Sequence, residues 1–371
     1  MIKILHFVTV MDRAGQETFI MNVYRFADRS KYKFIFLCDI HRKGDYDDEI
    51  KELGGEIYYL PERKYNHGIK RYKEEIKLLK NWLTSNKDKF DCVHLHTHHA
   101  LDVWAHLEAC REANIKNILI HSHSTSGENI FLHKIARTIN NTFYSFRKLA
   151  CSQDAGNWLF GKSQRENVSI IYNGIDINKF KFSENDRIKI QNEFNLQGKT
   201  VIGHIGRFNK QKNHFFLLEV FQKYHKSNPN SVLMLVGKGE LESEIKNKVK
   251  ELSIEESVIF TGIREDIGSL LSAFDIFVFP SLIEGLGIVL IEAQTNGLPV
   301  IINTSIPKEA IISDNVSILS IDSIDEWVEE IEKKPGERTD NIDYEKFDVS
   351  KTSKLILSIY DEVVKKGINN G

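Results

Sequence analysis

The sequence predicts an α/β protein made of two similar doubly wound, Rossmann-like domains. The chain has 371 residues, and because domains average about 150 residues, two domains are the first expectation. Short runs of β-branched and aromatic residues alternate with amphipathic helical stretches along almost the whole chain. This alternation is typical of parallel sheets with crossover helices. No internal repeat of about 20 to 50 residues accompanies it.

In the first half of the chain, the apolar runs predict six strands with helices between them. Two helices are clearest, from Gln16 to Ala27 and from Ile69 to Leu83, because their apolar residues fall on one helical face. The predicted strands are Ile2 to Val10, Lys33 to Asp39, Glu56 to Leu60, Cys92 to Thr97, Ile118 to His123 and Leu149 to Ser152.

A second series of strands and helices fills the other half of the chain. The predicted strands are Thr200 to Ile205, Val232 to Val236, Val258 to Thr261, Ile276 to Phe279 and Pro299 to Asn303. We therefore place the first domain at residues 1–175 and the second at residues 176–349. Residues 350–371 show the apolar spacing of a helix, which can pack back on the first domain.

Composition and charge narrow the class of protein. Hydrophobic residues make up 41% and charged residues 27% of the chain, which excludes disorder as its main state. No apolar run approaches the roughly 18 residues of a spanning helix, and His6 interrupts the first strand in a way that does not fit a signal peptide. Four cysteines without C-x-x-C spacing favour a reduced, cytoplasmic setting. Residues 1–170 hold 26 Lys and Arg against 21 Asp and Glu, whereas the rest hold 24 against 31, a hint about association.

The loop after the first strand is a candidate phosphate site. Ligands of open parallel sheets bind beyond the carboxyl ends of the strands. Gly15 follows the first strand and opens a helix, so it can let backbone amides approach a phosphate. A simple turn explains this segment equally well. The absence of a G-x-G-x-x-G run weakens a nicotinamide site.

The corresponding loop of the second domain carries two cations. The segment GHIGRFNKQKN, residues 203–213, follows a predicted strand and places Arg207 and Lys212 at the entrance to a helix. Two cations beside free amides suit a diphosphate. Taken alone, a solvated loop is the commoner explanation for such lysines.

The segment FVFPSLIEGLGIVLIEAQTNGLPVI, residues 277–301, combines an apolar strand, a polar loop and a helix. Glu284 lies before the helix and Glu292 one to two turns inside it, so both can face one cleft. Between them, the amides of Leu286 and Gly287 are expected at the helix N-terminus, which favours an anion. The alternative is that the acids are a cap and a surface residue. Glu292 sits in an apolar helix, where an unpaired carboxylate is costly, so it should bond to hydroxyl or amide groups.

Four histidines stand close together in the stretch VHLHTHHA. They are His94, His96, His98 and His99. Alternating histidines at a strand end can bind a metal, which would indicate a metal-dependent hydrolase that uses His94, His96 and His98. No Asp or Cys ligands accompany them at fitting spacings, so lining of an acceptor cleft is the favoured interpretation.

Several ordered motifs together resemble the retaining family 4 glycosyltransferases with the GT-B fold, in which two Rossmann-like domains face a central cleft. These motifs are the pair Glu284 and Glu292 with FVFPS before and GLPVI after, GRFNKQKN, VGKGELE at 236–242, FTGIRED at 260–266 and YNGID at 172–176. The resemblance covers the second domain and, more loosely, the first. It is nearest to bacterial enzymes of exopolysaccharide and capsule assembly, on the basis of Ser305-Ile-Pro-Lys-Glu309 and the HSHS stretch.

The resemblance implies roles for residues of the second, donor-binding domain. Arg207 and Lys212 would hold the donor diphosphate together with the amides of Leu286 and Gly287. In the same interpretation, Glu292 would bind the ribose hydroxyls, Glu284 the transferred sugar and Arg264 the base.

In the first, acceptor-side domain, the resemblance implies a histidine beside the donor sugar. His121 and His123 share one face if their strand continues, and counting from the strand start favours His123, with His121 as the alternative. A core or surface histidine explains either one equally well. The family's glycine pair near the N-terminus is replaced here by Ala14 and Gly15, so only Gly15 keeps full backbone freedom.

The implied reaction is retaining transfer of a hexosyl or N-acetylhexosaminyl group from a nucleotide sugar, with UDP as the expected nucleotide, to a glycan or lipid-linked acceptor. It implies no cofactor, no metal and no nucleic-acid partner. The closest alternative is a nucleotide-sugar epimerase of the same fold; a nicotinamide oxidoreductase and the metal-dependent hydrolase are weaker. A lipid-linked acceptor also implies peripheral contact with the inner face of the cell membrane. The basic stretch 62–89, with Lys70, Arg71 and Lys73, is the sequence candidate for that contact, although a solvated helix face explains it too.

Overall fold

The computed structural model describes residues 1–65, 67–333 and 335–369, and it divides into two compact α/β units. Unit 1 comprises Met1–Gly174 together with Lys346–Gly371, and unit 2 comprises Ile175–Glu345. Each unit contains one parallel sheet flanked by helices. The predicted fold class of two doubly wound α/β domains is confirmed.

Unit 1 is built on a seven-stranded sheet with the order β3-β2-β1-β4-β5-β6-β7. Its strands are β1 (Ile2–Val8), β2 (Tyr32–Cys38), β3 (Glu56–Tyr59), β4 (Cys92–Thr97), β5 (Ile118–Ser122), β6 (Arg147–Ala150) and β7 (Val168–Ile170). Its helices are α1 (Gly15–Phe26), α2 (Asp47–Glu52), α3 (Gly68–Asn86), α4 (Ala100–Glu112), α5 (Ile130–Phe143) and α6 (Gln153–Phe160). All strand pairs in this sheet are parallel.

Unit 2 is built on a six-stranded parallel sheet with the order β10-β9-β8-β11-β12-β13. Its strands are β8 (Thr200–Ile205), β9 (Ser231–Val236), β10 (Val258–Gly262), β11 (Ile276–Phe279), β12 (Val300–Asn303) and β13 (Val316–Leu319). Its helices are α7 (Ile177–Phe180), α8 (Glu184–Phe194), α9 (His214–Ser227), α10 (Glu242–Glu251), α11 (Ile267–Ala273), α12 (Ile288–Thr295) and α13 (Ile324–Lys333).

The chain returns to unit 1 through its last helix, α14 (Val349–Asn369). Ile356, Ile359 and Tyr360 of this helix are buried in the same core cluster as residues of β1, β2 and α1. A second core cluster of unit 1 contains residues of β4, α3 and α4. The sheet of unit 1 is therefore covered on both faces, as its nearly all-apolar strands require.

Two strands of the structure are not predicted by the sequence. They are β7 and β13, the last strands of their sheets, with three and four residues. Both are only partly buried, so they lack the apolar run that marks an interior strand. Three interior strands, β4, β8 and β11, have the predicted boundaries.

The strand orders fix where ligands are expected. In each sheet the order reverses direction at one place, between β1 and β4 in unit 1 and between β8 and β11 in unit 2. The loops at the carboxyl ends of these neighbouring strands diverge, which leaves a crevice where open α/β sheets bind their ligands. Most of the candidate residues lie on these loops or at these strand ends. Among the described residues, no helix is both long and apolar enough to cross a bilayer.

Candidate active site

The switch point of unit 2 brings together Lys212 and Glu284, which are 72 residues apart in sequence. Lys212 follows β8 and Glu284 follows β11, and their Nζ and Oε1 atoms lie 2.6 Å apart. Both side chains are largely buried, with 14% and 8% of their area exposed. The Lys212 ammonium also lies 4.6 Å from the centre of the Phe279 ring. A cation and a carboxylate are therefore fixed next to each other at the predicted donor site.

Local sequence explains why Lys212 points into this site. Asn209 Oδ1 accepts a hydrogen bond of 3.1 Å from the backbone N–H of Lys212 and so caps the turn Lys210–Lys212. A Cβ atom on Gly206 would lie 3.1 Å from Lys212 Cε, so the glycine leaves room for the lysine side chain. The backbone N–H of Leu282 donates to the carbonyl of Gln211 at 2.8 Å, which joins this turn to the loop that carries Glu284.

Glu292 lies on α12 and is half-buried. Loss of surrounding water raises the pKa of its carboxyl to about 7. Contrary to the sequence expectation, the Glu292 carboxylate forms no hydrogen bond or ion pair with any residue in 1–65, 67–333 or 335–369. A desolvated carboxylate without partners is costly, so this group is suited to accept hydrogen bonds from a ligand.

The start of α12 is shaped by Gly287, which has φ of +70° and precedes the first helical residue, Ile288. This left-handed conformation favours glycine because it has no Cβ atom. Leu286 is buried, while Gly285 has open space around its Cα. The first amides of α12 form no intrahelical bonds and carry the positive end of the helix dipole. An anion can therefore bind at this end of the helix.

Two predicted cations of unit 2 lie at the same sheet edge with different partners. Arg207 is 72% exposed, and its Nε atom donates to Glu240 at 3.1 Å. Arg264 follows β10 and pairs with Glu193 at 2.5 Å and Asp266 at 2.7 Å. Arg207 is exposed and pairs with one carboxylate, whereas the Arg264 guanidinium is held by two carboxylates.

At the switch point of unit 1, α1 begins at Gly15 directly after the loop that follows β1. The glycine is exposed, and no atom lies within 4 Å of the position of a Cβ there. The φ angle of Gly15 is not left-handed, so this position does not require the backbone freedom of glycine that the sequence analysis predicted. The open space beside Gly15 still leaves room for a ligand to approach the backbone. Two residues on, burial raises the pKa of Glu17 to about 7.

Five histidines lie on the face of the unit 1 sheet that α1 and α14 cover, and we call them the imidazole cluster. They are His6 on β1, His94 and His96 on β4, His121 on β5 and His123 just after β5. His96 is the centre, because its Nε2 lies 3.0 Å from His6 Nδ1 and its Nδ1 lies 3.0 Å from His123 Nε2. Burial lowers the pKa of all five rings, that of His6 to about 3, so they are neutral.

The positions of His94 and His98 show that part of the sequence interpretation of the histidines is wrong. His94 is fully buried, and its Nδ1 shares a hydrogen bond of 2.7 Å with the Tyr360 hydroxyl of α14, so it does not line a cleft. His98 is turned away to Ser124 Oγ at 2.9 Å, and it belongs to neither of the candidate metal-binding groups of the described residues. The predicted hydrolase set of His94, His96 and His98 is therefore not assembled.

His121 and His123 both belong to the imidazole cluster, at different depths. His121 is fully buried, whereas His123 is partly exposed. Both rings contact Phe19 of α1, with centroid distances of 5.1 and 5.9 Å. Of the two, only His123 has part of its side chain exposed, although its Nδ1 atom is buried and its Nε2 atom is bonded to His96.

Several residues of these sites escape sequence reasoning. His6 and Tyr360 complete the imidazole cluster from opposite ends of the chain. In unit 2, His214 lies two residues after Lys212 in sequence, and burial together with the Lys212 charge lowers its pKa to about 4. No local motif marks His6 or Tyr360, because their contacts with the other histidines are long-range in sequence.

Both halves of the chain match models of known glycosyltransferase families. The family description "Glycosyltransferase Family 4" matches residues 13–179, and "Glycosyl transferases group 1" matches residues 186–344. The putative glycosyltransferase EpsF of Bacillus subtilis is 35% identical over 320 residues, which cover 83% of this chain and 80% of EpsF. The capsular polysaccharide biosynthesis glycosyltransferase CapH of Staphylococcus aureus is 26% identical over 376 residues, 97% of this chain and 99% of CapH.

The fold is shared with solved structures. Anabaena HepE, determined in complex with UDP and glucose, superposes with a TM-score of 0.78 at 20% identity, covering 98% of this chain and all of HepE. Together with the family matches and the EpsF relative, the resemblance to enzymes of capsule assembly is confirmed. The chain belongs to the family 4 glycosyltransferases with the GT-B fold and is a glycosyltransferase of polysaccharide biosynthesis.

Proposed function

We propose that the protein is a retaining glycosyltransferase that moves a hexosyl or N-acetylhexosaminyl group from a UDP-sugar to a lipid-linked glycan acceptor. The observation that carries the proposal is the switch point of unit 2, where Lys212 pairs with Glu284 in the loop before α12, the helix that carries the unpaired Glu292. This arrangement offers cations and amides for a diphosphate and carboxylates for sugar hydroxyls. The structure of HepE holds UDP and glucose, which supports the same donor class here.

In the proposed mechanism, negative charge develops on the diphosphate as the glycosidic bond breaks. Lys212, Arg207 and the amides of Leu286 and Gly287 stabilise this charge, so the reaction needs no metal ion. Glu284 hydrogen-bonds the transferred sugar, and Glu292 accepts from the ribose hydroxyls. The ion pair with Glu284 fixes the position of the Lys212 ammonium, and the donor diphosphate becomes the second anionic partner of Lys212 when it binds.

The other proposed contacts follow the family resemblance. His123 contacts the donor sugar, and Arg264 lies near the base, held in place by Glu193 and Asp266. In the proposed mechanism Glu284 binds the sugar and does not act as a nucleophile, and the acceptor attacks from the same face that the diphosphate leaves. Retention of configuration follows from such front-face attack.

Peripheral membrane contact is part of the proposal, and α5 is the surface best suited to it. Four apolar residues at its start are exposed: Ile130 (55%), Phe131 (75%), Leu132 (48%) and Ile135 (43%). Of these four, Ile130 lines a cavity of about 350 Å³ together with Lys134, Arg137 and Lys162. Exposed apolar side chains beside cations fit an anionic lipid surface, where insertion and charge attraction act together.

The basic stretch on α3 fits a membrane less well than the sequence indicates. Arg71 is only 27% exposed and pairs with Asp102 at 3.0 Å, so it is not available to lipid. Lys70 stays over the Tyr65 ring at 5.4 Å. Lys70 and Lys73 are exposed, so the predicted contact through Lys70, Arg71 and Lys73 stays a prediction, and we favour α5 as the contact surface.

The proposed activity is tested by a donor screen with the purified chain. Each nucleotide sugar is offered with and without a lipid-linked saccharide acceptor, in the presence of a chelator. We expect UDP and an extended acceptor from one UDP-sugar. A product that forms equally without acceptor would indicate an epimerase, and full loss of activity on chelation, restored by manganese or zinc, would contradict the metal-free mechanism.

A further inference from the structure

The imidazole cluster contains many polar atoms without partners. His121 Nδ1 and Nε2, His123 Nδ1, His94 Nε2 and His6 Nε2 are buried and form no hydrogen bond within the described parts of the chain. Each such atom loses its hydration on folding, at a cost of about 1–3 kcal/mol. Unpaired buried polar atoms are rare in native proteins, and a bound water or ion is one of the common explanations for them.

The spacing of the rings fits an ion. His96, His121 and His123 offer three ring nitrogens that lie within 4.8 Å of one another. A tetrahedral zinc site with bonds of about 2.0–2.1 Å places its nitrogen ligands about 3.3 Å apart. His96 Nδ1 and His123 Nε2, at 3.0 Å, are already near that spacing, and side-chain rotation of His121 can supply the third ligand.

The surroundings of His96 resemble the second shell of a metal site. Histidines that bind metals usually hydrogen-bond through their other ring nitrogen, which fixes the tautomer and the ring orientation. His96 Nε2 is bonded to His6 Nδ1 at 3.0 Å, which turns the Nδ1 lone pair of His96 towards His123. Of the three histidines, His123 is the most exposed, although its Nδ1 atom is buried.

We propose that His96, His121 and His123 form a binding site for one divalent transition-metal ion of the zinc, nickel or copper class. A donor set of three imidazoles selects these ions over magnesium and calcium, which prefer oxygen ligands. An ion bound there occupies His123 and makes it unavailable to the sugar, so the ion inhibits transfer rather than assisting it. Binding of the ion is independent of the proposed function, and only the inhibition rests on it.

The test uses the full chain, purified with a tag that contains no histidine and stripped with a chelator. Cobalt or zinc is then titrated in, with visible absorption and elemental analysis as readouts. We expect about one ion per chain and a cobalt spectrum typical of tetrahedral nitrogen ligands. Absence of stoichiometric binding would overturn the proposal and would leave ordered water as the partner of these atoms.

Variants locate the site. His96→Gln, His121→Gln and His123→Gln should each lose the bound ion, while the matched control His98→Gln, outside the cluster, should keep it. Circular dichroism checks that the variants are folded. If a variant at a buried histidine fails to fold, anomalous diffraction from wild-type crystals grown with cobalt locates the ion instead. The anomalous peak is expected between the three imidazole rings. An ion bound elsewhere, or unchanged binding in all three variants, would contradict the assignment.

The inhibitory role has a separate readout. One equivalent of zinc should lower transfer by wild type, and a chelator should restore it. If zinc binds stoichiometrically without affecting transfer, the site stands but the role of His123 in transfer is wrong. If no transfer is found with any donor, the binding measurements still test the site on their own.

Discussion

The switch points of the two sheets carry side chains of different chemical character. At the switch point of unit 2, Lys212 pairs with Glu284, and Arg207 and Glu292 lie on the same edge. At the switch point of unit 1, the strands end in neutral histidines such as His96 and His121, buried among aromatic rings. The same doubly wound framework thus presents charge in one unit and uncharged nitrogen atoms in the other.

This difference indicates how the work of transfer is divided. A departing diphosphate is stabilised by full charges and aligned amides, and unit 2 offers both. Neutral imidazoles exchange single hydrogen bonds, which contribute about 1 kcal/mol each. We therefore expect substitutions in unit 2 to cost far more activity than substitutions at the edge of unit 1.

The largest effect is expected at the cations of unit 2. Lys212→Ala and Arg207→Ala should each lower turnover by about 10² to 10³, because they remove charge stabilisation of the leaving group. Steady-state kinetics on the donor and acceptor pair measures this. Lys210→Ala, which removes an exposed lysine of the same turn, is the control and should stay near wild type. Near wild-type turnover in both variants would end the diphosphate assignment.

Glu292 should affect nucleotide binding, with a characteristic pH dependence. With a pKa of about 7, the carboxylate is mostly ionised at pH 8 and mostly protonated at pH 6. UDP affinity of the wild type should therefore fall about tenfold from pH 8 to pH 6. Glu292→Gln should bind UDP more weakly than wild type at pH 8. Its UDP affinity should change with pH only through titration of the UDP phosphate, so the additional change in wild type reports the Glu292 carboxyl.

Calorimetry at the two pH values measures the Glu292 effect. Glu329→Gln, an exposed glutamate on α13, is the matched control and should behave as wild type. Equal UDP affinity of Glu292→Gln and wild type at pH 8 would show that the ribose role is wrong.

A smaller effect is expected at the edge of unit 1. His123→Gln should lower turnover by about tenfold, the equivalent of one lost hydrogen bond, while UDP affinity is unchanged. His67→Gln serves as the control, since His67 is exposed and lies outside the imidazole cluster. A loss at His123 as large as that at Lys212 would break the contrast between the two units.

The smallest change in turnover is expected on α5. Phe131→Ser should weaken flotation with anionic vesicles and leave transfer to a soluble acceptor near wild type, because it removes only an inserting side chain. Lys134→Ala should make the remaining binding less sensitive to salt. Phe26→Ser, which removes another exposed aromatic residue of unit 1, is the control. Flotation of Phe131→Ser equal to wild type at low salt would remove α5 as the membrane contact.

The sequence predicts the interior of the fold better than its edges. The strands β4, β8 and β11 are apolar enough to be placed residue by residue, whereas β7 and β13 are short, partly exposed and missed. The site of unit 2 could be predicted from the segment 277–301, because Glu284, Gly287 and Glu292 lie close together in sequence.

The contacts of unit 1 could not be predicted in the same way. Tyr360 reaches His94 across 266 residues, and His6 reaches His96 across 90. Nothing in the local pattern of either strand shows that these rings meet. Only the sheet order, which places β4 between β1 and β5, reveals that the histidines form one cluster.

The most direct test of the account is the anomeric configuration of the product. The purified chain is incubated with its UDP-α-sugar, the lipid-linked acceptor and a chelator, and the new linkage is read by nuclear magnetic resonance. The proposed retaining, metal-free mechanism predicts an α-linked product formed without a divalent ion. A β-linked product, or transfer that occurs only when a divalent ion is restored, would contradict it.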